Sequence, residues 1–143
     1  MSAYLDTSAL LRAWRLGLVP SGIARSHCMA EFYCIITGTG LKVQRDGKTV
    51  AITLSPKDGA QAVEDTFAAV KFHDLTPPQT LAAIRAAAPE NIQSRDIHDW
   101  LHVRAAEAAK VDRIVTLNTV DFAPHTKLRV VNPSEHFARQ AGS

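Results

Sequence analysis

The sequence predicts an α/β fold with a mostly parallel central sheet covered by helices on both faces. Two patterns predict it. Short apolar, β-rich segments alternate with stretches of helical period along the chain, and turn or capping residues separate one from the next. No segment repeats and no stretch has the composition of a linker, so 143 residues are expected to form a single domain, 1-143.

Each element follows from its residues. Ala3-Tyr4-Leu5 is a short buried strand running into Asp6-Thr7-Ser8, where Thr7 or Ser8 caps a helix from Ala9 to Leu16. Gly17 and Pro20-Ser21-Gly22 break the chain before a brief strand at Ile23-Ala24-Arg25. Ser26 is expected to cap a helix from about His27 to Thr37, ended by Gly38-Thr39-Gly40. Residues 41–45 and 48–54 alternate apolar and polar around Asp46-Gly47, a two-residue hairpin signal, so a small β-hairpin insertion is expected near 41-54. Ser55-Pro56 opens the next helix, with Asp58 placed to complete a capping box. Val70 to His73 is a strand, and Thr76-Pro77 starts an Ala-rich helix to about Ala88. After a loop from Pro89 to Arg95 come a long helix from Asp96 to Lys110, a strand from Asp112 to Leu117 with turn chemistry behind it, a last strand at Leu128 to Val131, and a short terminal helix capped by Asn132-Pro133.

Composition excludes several classes. The chain is 46% hydrophobic and 21% charged, with no biased tract. A net charge of +2 is too mild by itself to mark a nucleic-acid binder, and local basic patches stay open. Cys28 and Cys34 fit neither a CxxC redox pair nor a zinc knuckle and are expected as buried, reduced thiols. Asp6 interrupts the first apolar stretch and nothing resembles a membrane span, so no membrane association and a cytoplasmic location are expected.

The chemistry-bearing residues are acids in apolar surroundings. Asp6 stands between Ala3-Tyr4-Leu5 and Ala9-Leu10-Leu11, and Glu31 between Cys28-Met29-Ala30 and Phe32-Tyr33-Cys34. Lone carboxylates are unusual there unless they are paired or bind metal. In an open parallel sheet ligands sit outside the carboxyl ends of the strands. That is where Asp6 falls, and where Asn118 and Asp121 follow the strand ending at Leu117. Asp99 lies in the first turn of the long helix.

The strings AYLDTSALL, SHCMAEFYCIITG and IHDWLHVRAAEAAKVDRIVTLNTVDF resemble the PIN-domain family, over essentially the whole chain and in the family's order. The resemblance implies a three-layer α/β/α sandwich and an Mg²⁺- or Mn²⁺-dependent endoribonuclease, like the toxin of a bacterial toxin–antitoxin pair. It implies Asp6, Glu31, Asp99 and Asp121 as catalytic acids, and Asp6, Asp99, Asn118 and Asp121 as metal ligands. Ser8 would contact a metal-bound water or a phosphate. RNA is then the substrate, with a small antitoxin and a second copy of the chain as partners. The family often has aspartate where Asn118 stands, so that duty passes to Asp121 or is lost. The interval between Asp6 and Glu31 is also short for the family. Hydrolysis of a phosphodiester calls for such a set, because a hard divalent ion neutralises phosphate charge and activates water only when oxygen ligands hold it.

Two other readings compete. A nuclease of the same fold can process RNA without an antitoxin, and a domain that has lost catalysis can serve as an RNA- or protein-binding module. His98-Asp99-Trp100-Leu101-His102 superficially resembles the zinc-protease pattern H-E-x-x-H, but its aspartate is one carbon short and no third ligand follows. One histidine is expected to pack and the other to face solvent or RNA.

Overall fold

Short, β-rich apolar triplets build the sheet. In the computed structural model, which describes residues 2–141, β1 (Ala3–Leu5), β2 (Gly22–Ala24), β5 (Val70–Phe72), β6 (Arg113–Val115) and β7 (Arg129–Val131) form one parallel sheet in the order β5-β2-β1-β6-β7. Hydrogen-bonded pairs join neighbours in register, with Tyr4 opposite both Ile23 and Ile114. A second, two-stranded antiparallel sheet pairs β3 (Leu41–Arg45) with β4 (Lys48–Ile52).

The sheet is buried on both faces, as parallel sheets are. Along β1 the side chains alternate: Ala3 and Leu5 join one core cluster, while Tyr4 joins the other. The first cluster takes in Leu10 of α1 (Thr7–Arg15), Cys28, Phe32 and Ile36 of α2 (His27–Thr37), and Ala62 of α3 (Pro56–Thr66). The second packs Tyr4 and Ile114 against Val103 and Ala106 of α5 (Asp96–Ala108) and Phe122 of α6 (Thr119–Phe122). α4 (Pro77–Ala87) lies against α5, and Trp100 buries its ring there by donating its indole N–H to the Ala83 carbonyl at 2.8 Å. The last helix, α7 (Pro133–Ala141), contacts α1. The result is the three-layer α/β/α sandwich expected from the alternation of elements.

The hairpin is a local structure. Asp46 and Gly47 both have positive φ (52° and 75°), the signature of a type I′ turn. Its base is tied to the end of α2 by the Gly40 amide, which donates to Ile35 O, and the Leu54 amide, which donates to Ile36 O. α3 packs closely on α2 through Gly59, where a Cβ would come within 2.4 Å of Thr37 Cγ2.

Several local expectations need correction. The cap of α1 is Asp6, which accepts from the Ala9 amide, so the helix starts at Thr7 and not Ala9. Asp was the better placed of three adjacent capping residues because its neighbours Thr7 and Ser8 already have helical backbone. Ser26 makes no cap; its amide and hydroxyl both donate to Asp74. Asp58 does not close a capping box with Ser55, whereas Thr76 and Gln79 do form one. Strands β4, β5 and β6 are shorter than the apolar runs that announced them, and the turn after β6 holds the four-residue helix α6. The Pro89–Arg95 loop begins in a 3-10 turn spanning Ala88–Glu90. Both thiols are free, but only Cys28 is buried; Cys34 is exposed because its position on α2 faces away from the core. Among the described residues, no helix is long and apolar enough to cross a membrane.

Candidate functional site

The carboxyl ends of β1 and β6 lie side by side, because Leu5 pairs with Val115. Their next residues therefore meet. Asp6 is buried, 4% exposed, and the Thr116 hydroxyl donates to its Oδ2 at 2.5 Å. Ser8 Oγ donates to Oδ1 at 2.6 Å, and the Ala9 amide donates to the same oxygen at 2.9 Å. Ser8 in turn accepts from the Leu117 amide at 3.0 Å, and Thr116 Oγ1 accepts from the Asn118 amide at 3.0 Å. Two hydroxyls thus fix one carboxylate and the start of the chain that leads into α6.

Burial pushes the Asp6 carboxyl above the usual range; the bonds from Ser8, Thr116 and the Ala9 amide pull it back, and the nearby charge of Asp99 adds to the rise. Asp99, half-buried in the first turn of α5, is raised in the same way by burial and then by Asp121 and Asp96, while His125 and His98 oppose the rise. Among the described residues, none of Asp6, Glu31, Asp99 and Asp121 has a Lys, Arg or His within ion-pair distance. Asp121 and Asn118 are exposed at the start of α6, and the Asn118 side chain makes no capping bond.

Glu31 is half-buried on α2, one turn in, and its Oε1 accepts from the Thr7 hydroxyl at 3.1 Å. Thr7 thus sits between the two acids, next in sequence to Asp6 and bonded to Glu31. A groove of about 130 Å³ runs beside Ser8, lined by Leu11, Arg12, Arg15, Leu41 and Leu117. It brings two cations of α1 to the margin of the acid set.

The structure brings the sequence-expected residues to one edge of the sheet, though not into a single ligand shell. Among the described residues, the one group of three His, Cys, Asp or Glu ligand atoms lying within 4.8 Å of one another is Cys28, Glu31 and His102. The sequence offered two clues to it: the H-D-x-x-H string drew notice to His102, and Cys28 stands one helical turn before Glu31. Their meeting was not legible, because it depends on how two helices remote in sequence, α2 and α5, are brought together by the fold. His102 is the packed histidine of its pair and His98 the exposed one. Burial lowers His102 to about 3, with the charges of Arg25, His98 and His27 adding to the drop. The Cys28 thiol is pushed up to about 11 by burial, opposed by the neighbouring Thr7 hydroxyl.

No protein-family model matches the chain, and a search of curated proteins finds no match either.

Proposed function

We propose that this chain is a metal-dependent endoribonuclease of the PIN-domain type, resembling the toxin of a toxin–antitoxin pair. One observation carries the reading. Asp6, Asp99 and Asp121 come from three separate parts of the chain, Asp99 acts as a like charge on Asp6 and Asp121 on Asp99, and among the described residues none of the three has a Lys, Arg or His within ion-pair distance. Such an arrangement is unfavourable unless a cation joins it.

The donor set fits a hard divalent ion. A carboxylate offers about four lone-pair directions, and Asp6 uses three, leaving one on Oδ2. Asp6, Asp99, Asn118 and Asp121 are the residues that would hold Mg²⁺ or Mn²⁺. When bound, such an ion supplies positive charge to the phosphate oxygens and an acidified water. The remaining work falls to the chain. Ser8 and Thr116 keep Asp6 in a single orientation, which lowers the cost of organising the site during reaction. Thr7 holds Oε1 of Glu31 and leaves Oε2 to accept a proton from the attacking water. Arg12 and Arg15 line the groove leading away from Ser8, where they suit the phosphates of a bound RNA strand. The resemblance adds a cytoplasmic setting, a small antitoxin covering the groove, and a homodimer; a nuclease acting without an antitoxin uses the same residues.

A second reading, a module that binds RNA or protein without cleaving, is favoured by Asn118 in the fourth acidic position and by the open spacing of the acids. Cleavage of a labelled structured RNA in Mg²⁺ or Mn²⁺ separates the two. Wild type is expected to cut, and Asp6→Asn and Asp99→Asn to lose at least a hundredfold in rate. Equal cleavage by either variant would remove that residue from the site, and no cleavage with no Mn²⁺ binding would favour the module.

A further inference from the structure

We infer that Cys28, Glu31 and His102 form a second metal site, one for a borderline-soft transition ion of the zinc class and distinct in chemistry from the hard acid set. The ligand atoms of the three lie within 4.8 Å of one another, from two helices that are remote in sequence. A tetrahedral ion with bonds of about 2.0–2.3 Å spaces its ligands roughly 3.3–3.8 Å apart. Closure thus asks for movements of about 1 Å, within the reach of rotamer adjustment at Glu31, the most exposed of the three.

The donor types decide which ion. Thiolate and imidazole favour zinc, cobalt and copper over magnesium, and one S, one N and one O ligand leave a fourth position for water. The supporting bonds are already in place. His102 Nδ1 shares a 2.6 Å hydrogen bond with the Tyr4 hydroxyl, buried at the sheet, so coordination through Nε2 would keep that bond. Coordination selects the tautomer in which Nδ1–H donates to Tyr4, the kind of outer contact that orients most metal-bound histidines. Glu31 is oriented by Thr7 through Oε1, with Oε2 left over. The thiol proton of Cys28 leaves to solvent as the ion binds.

Glu31 belongs to both sets. An ion held by Cys28 and His102 takes Glu31 away from the acid cluster, so zinc acts as an inhibitor of the proposed cleavage. That consequence rests on the nuclease reading; the site itself does not.

Titration of the metal-free protein with Co²⁺ tests the site without any activity. One equivalent is expected to give the near-ultraviolet charge-transfer absorption of a cobalt–thiolate bond. The band should be kept in Cys34→Ser, lost in Cys28→Ser, and displaced by equimolar Zn²⁺ but not by a thousandfold excess of Mg²⁺. Glu31→Gln, a half-buried position where the fold should hold, is expected to weaken Co²⁺ binding at least tenfold, and it decides the matter should Cys28→Ser not fold. Absence of the band in wild type, its persistence in Cys28→Ser, or full affinity in Glu31→Gln would overturn the proposal. A protein that binds Co²⁺ in this way yet cuts no RNA would count against the nuclease reading alone.

Discussion

The Thr116 hydroxyl donates to Oδ2 of Asp6 at 2.5 Å, tying the residue after β6 to the residue after β1. Thr116 is fully buried, so this bond is made away from water. Thr116→Val keeps the shape and removes the donor, leaving a buried carboxylate short of one partner. The expected cost is about 1.5–3 kcal/mol in a denaturant titration. The lost bond is one that lowers the Asp6 pKa, so the acid limb of a pH–rate profile is expected to move to higher pH. Thr116→Ser should restore both; an unshifted limb in the valine variant would mean that Asp6 does not govern it.

Asp99 carries the opposite balance. Burial and the charges of Asp121 and Asp96 raise its folded pKa above the unfolded value. Its contribution to stability is therefore full below the unfolded pKa and is lost as pH rises through the folded one. At pH 7 the charge is a net cost, and Asp99→Asn removes it. Solvent screening keeps the gain small, about 0.5 kcal/mol or a Tm rise of ~1–2 °C, while the proposed RNA cleavage is expected to be lost. Calorimetry beside the cleavage assay reads both, and a destabilised variant would contradict the picture of crowded acids.

His102 makes acid stability legible in the metal-free protein. Its folded pKa of about 3 lies below the unfolded value of 6.5, chiefly through burial. The neutral ring contributes stability that is present above pH 6.5 and is lost as pH falls toward 3. Chelator-treated wild type is expected to lose stability relative to His102→Gln across that interval. Parallel curves for the two proteins would show that protonation of this ring does not drive acid unfolding.

Gly59 sets two effects against each other. Gly→Ala inside a helix gains up to about 1 kcal/mol of propensity. Here the added Cβ would stand 2.4 Å from Thr37 Cγ2 and 3.3 Å from Tyr33 Cε2, and such overpacking costs about 1–3 kcal/mol. The clash should win, giving a net loss of about 1 kcal/mol by urea titration. Thr37→Ser removes the obstructing methyl, and the double variant is expected to recover at least half of the loss.

What the sequence disclosed, and what it withheld, follows from the range of the interactions. The hairpin could be read strand by strand because Asp46-Gly47 and the alternation around it are local, and its turn has the positive φ values those residues favour. The order of the elements and the acids at the strand ends were legible for the same reason. The cap of α1 was not, since Asp6, Thr7 and Ser8 all have capping side chains and only the backbone decides among them. The helix at Thr119–Phe122 is too short to carry a period. Ser26 looks like a cap until Asp74 is brought to it by the packing of β2 beside β5. Cys28 and His102 looked like an inert thiol and a packed ring, each plausible alone; their relation to Glu31 exists only in three dimensions.

The pairing of β1 with β6 also has a consequence in time. A ribosome adds roughly 5–20 residues per second, so Asp6 emerges seconds before the strand and hydroxyl that will hold it. Until Arg113 to Thr116 have been made and have reached β1, the acid edge does not exist and Asp6 has only its own helix to cap. A chain still being translated therefore lacks the assembled acid edge. The long-range β1–β6 contact acts as a built-in delay, completing the acid edge only after residues 113–116 have joined it.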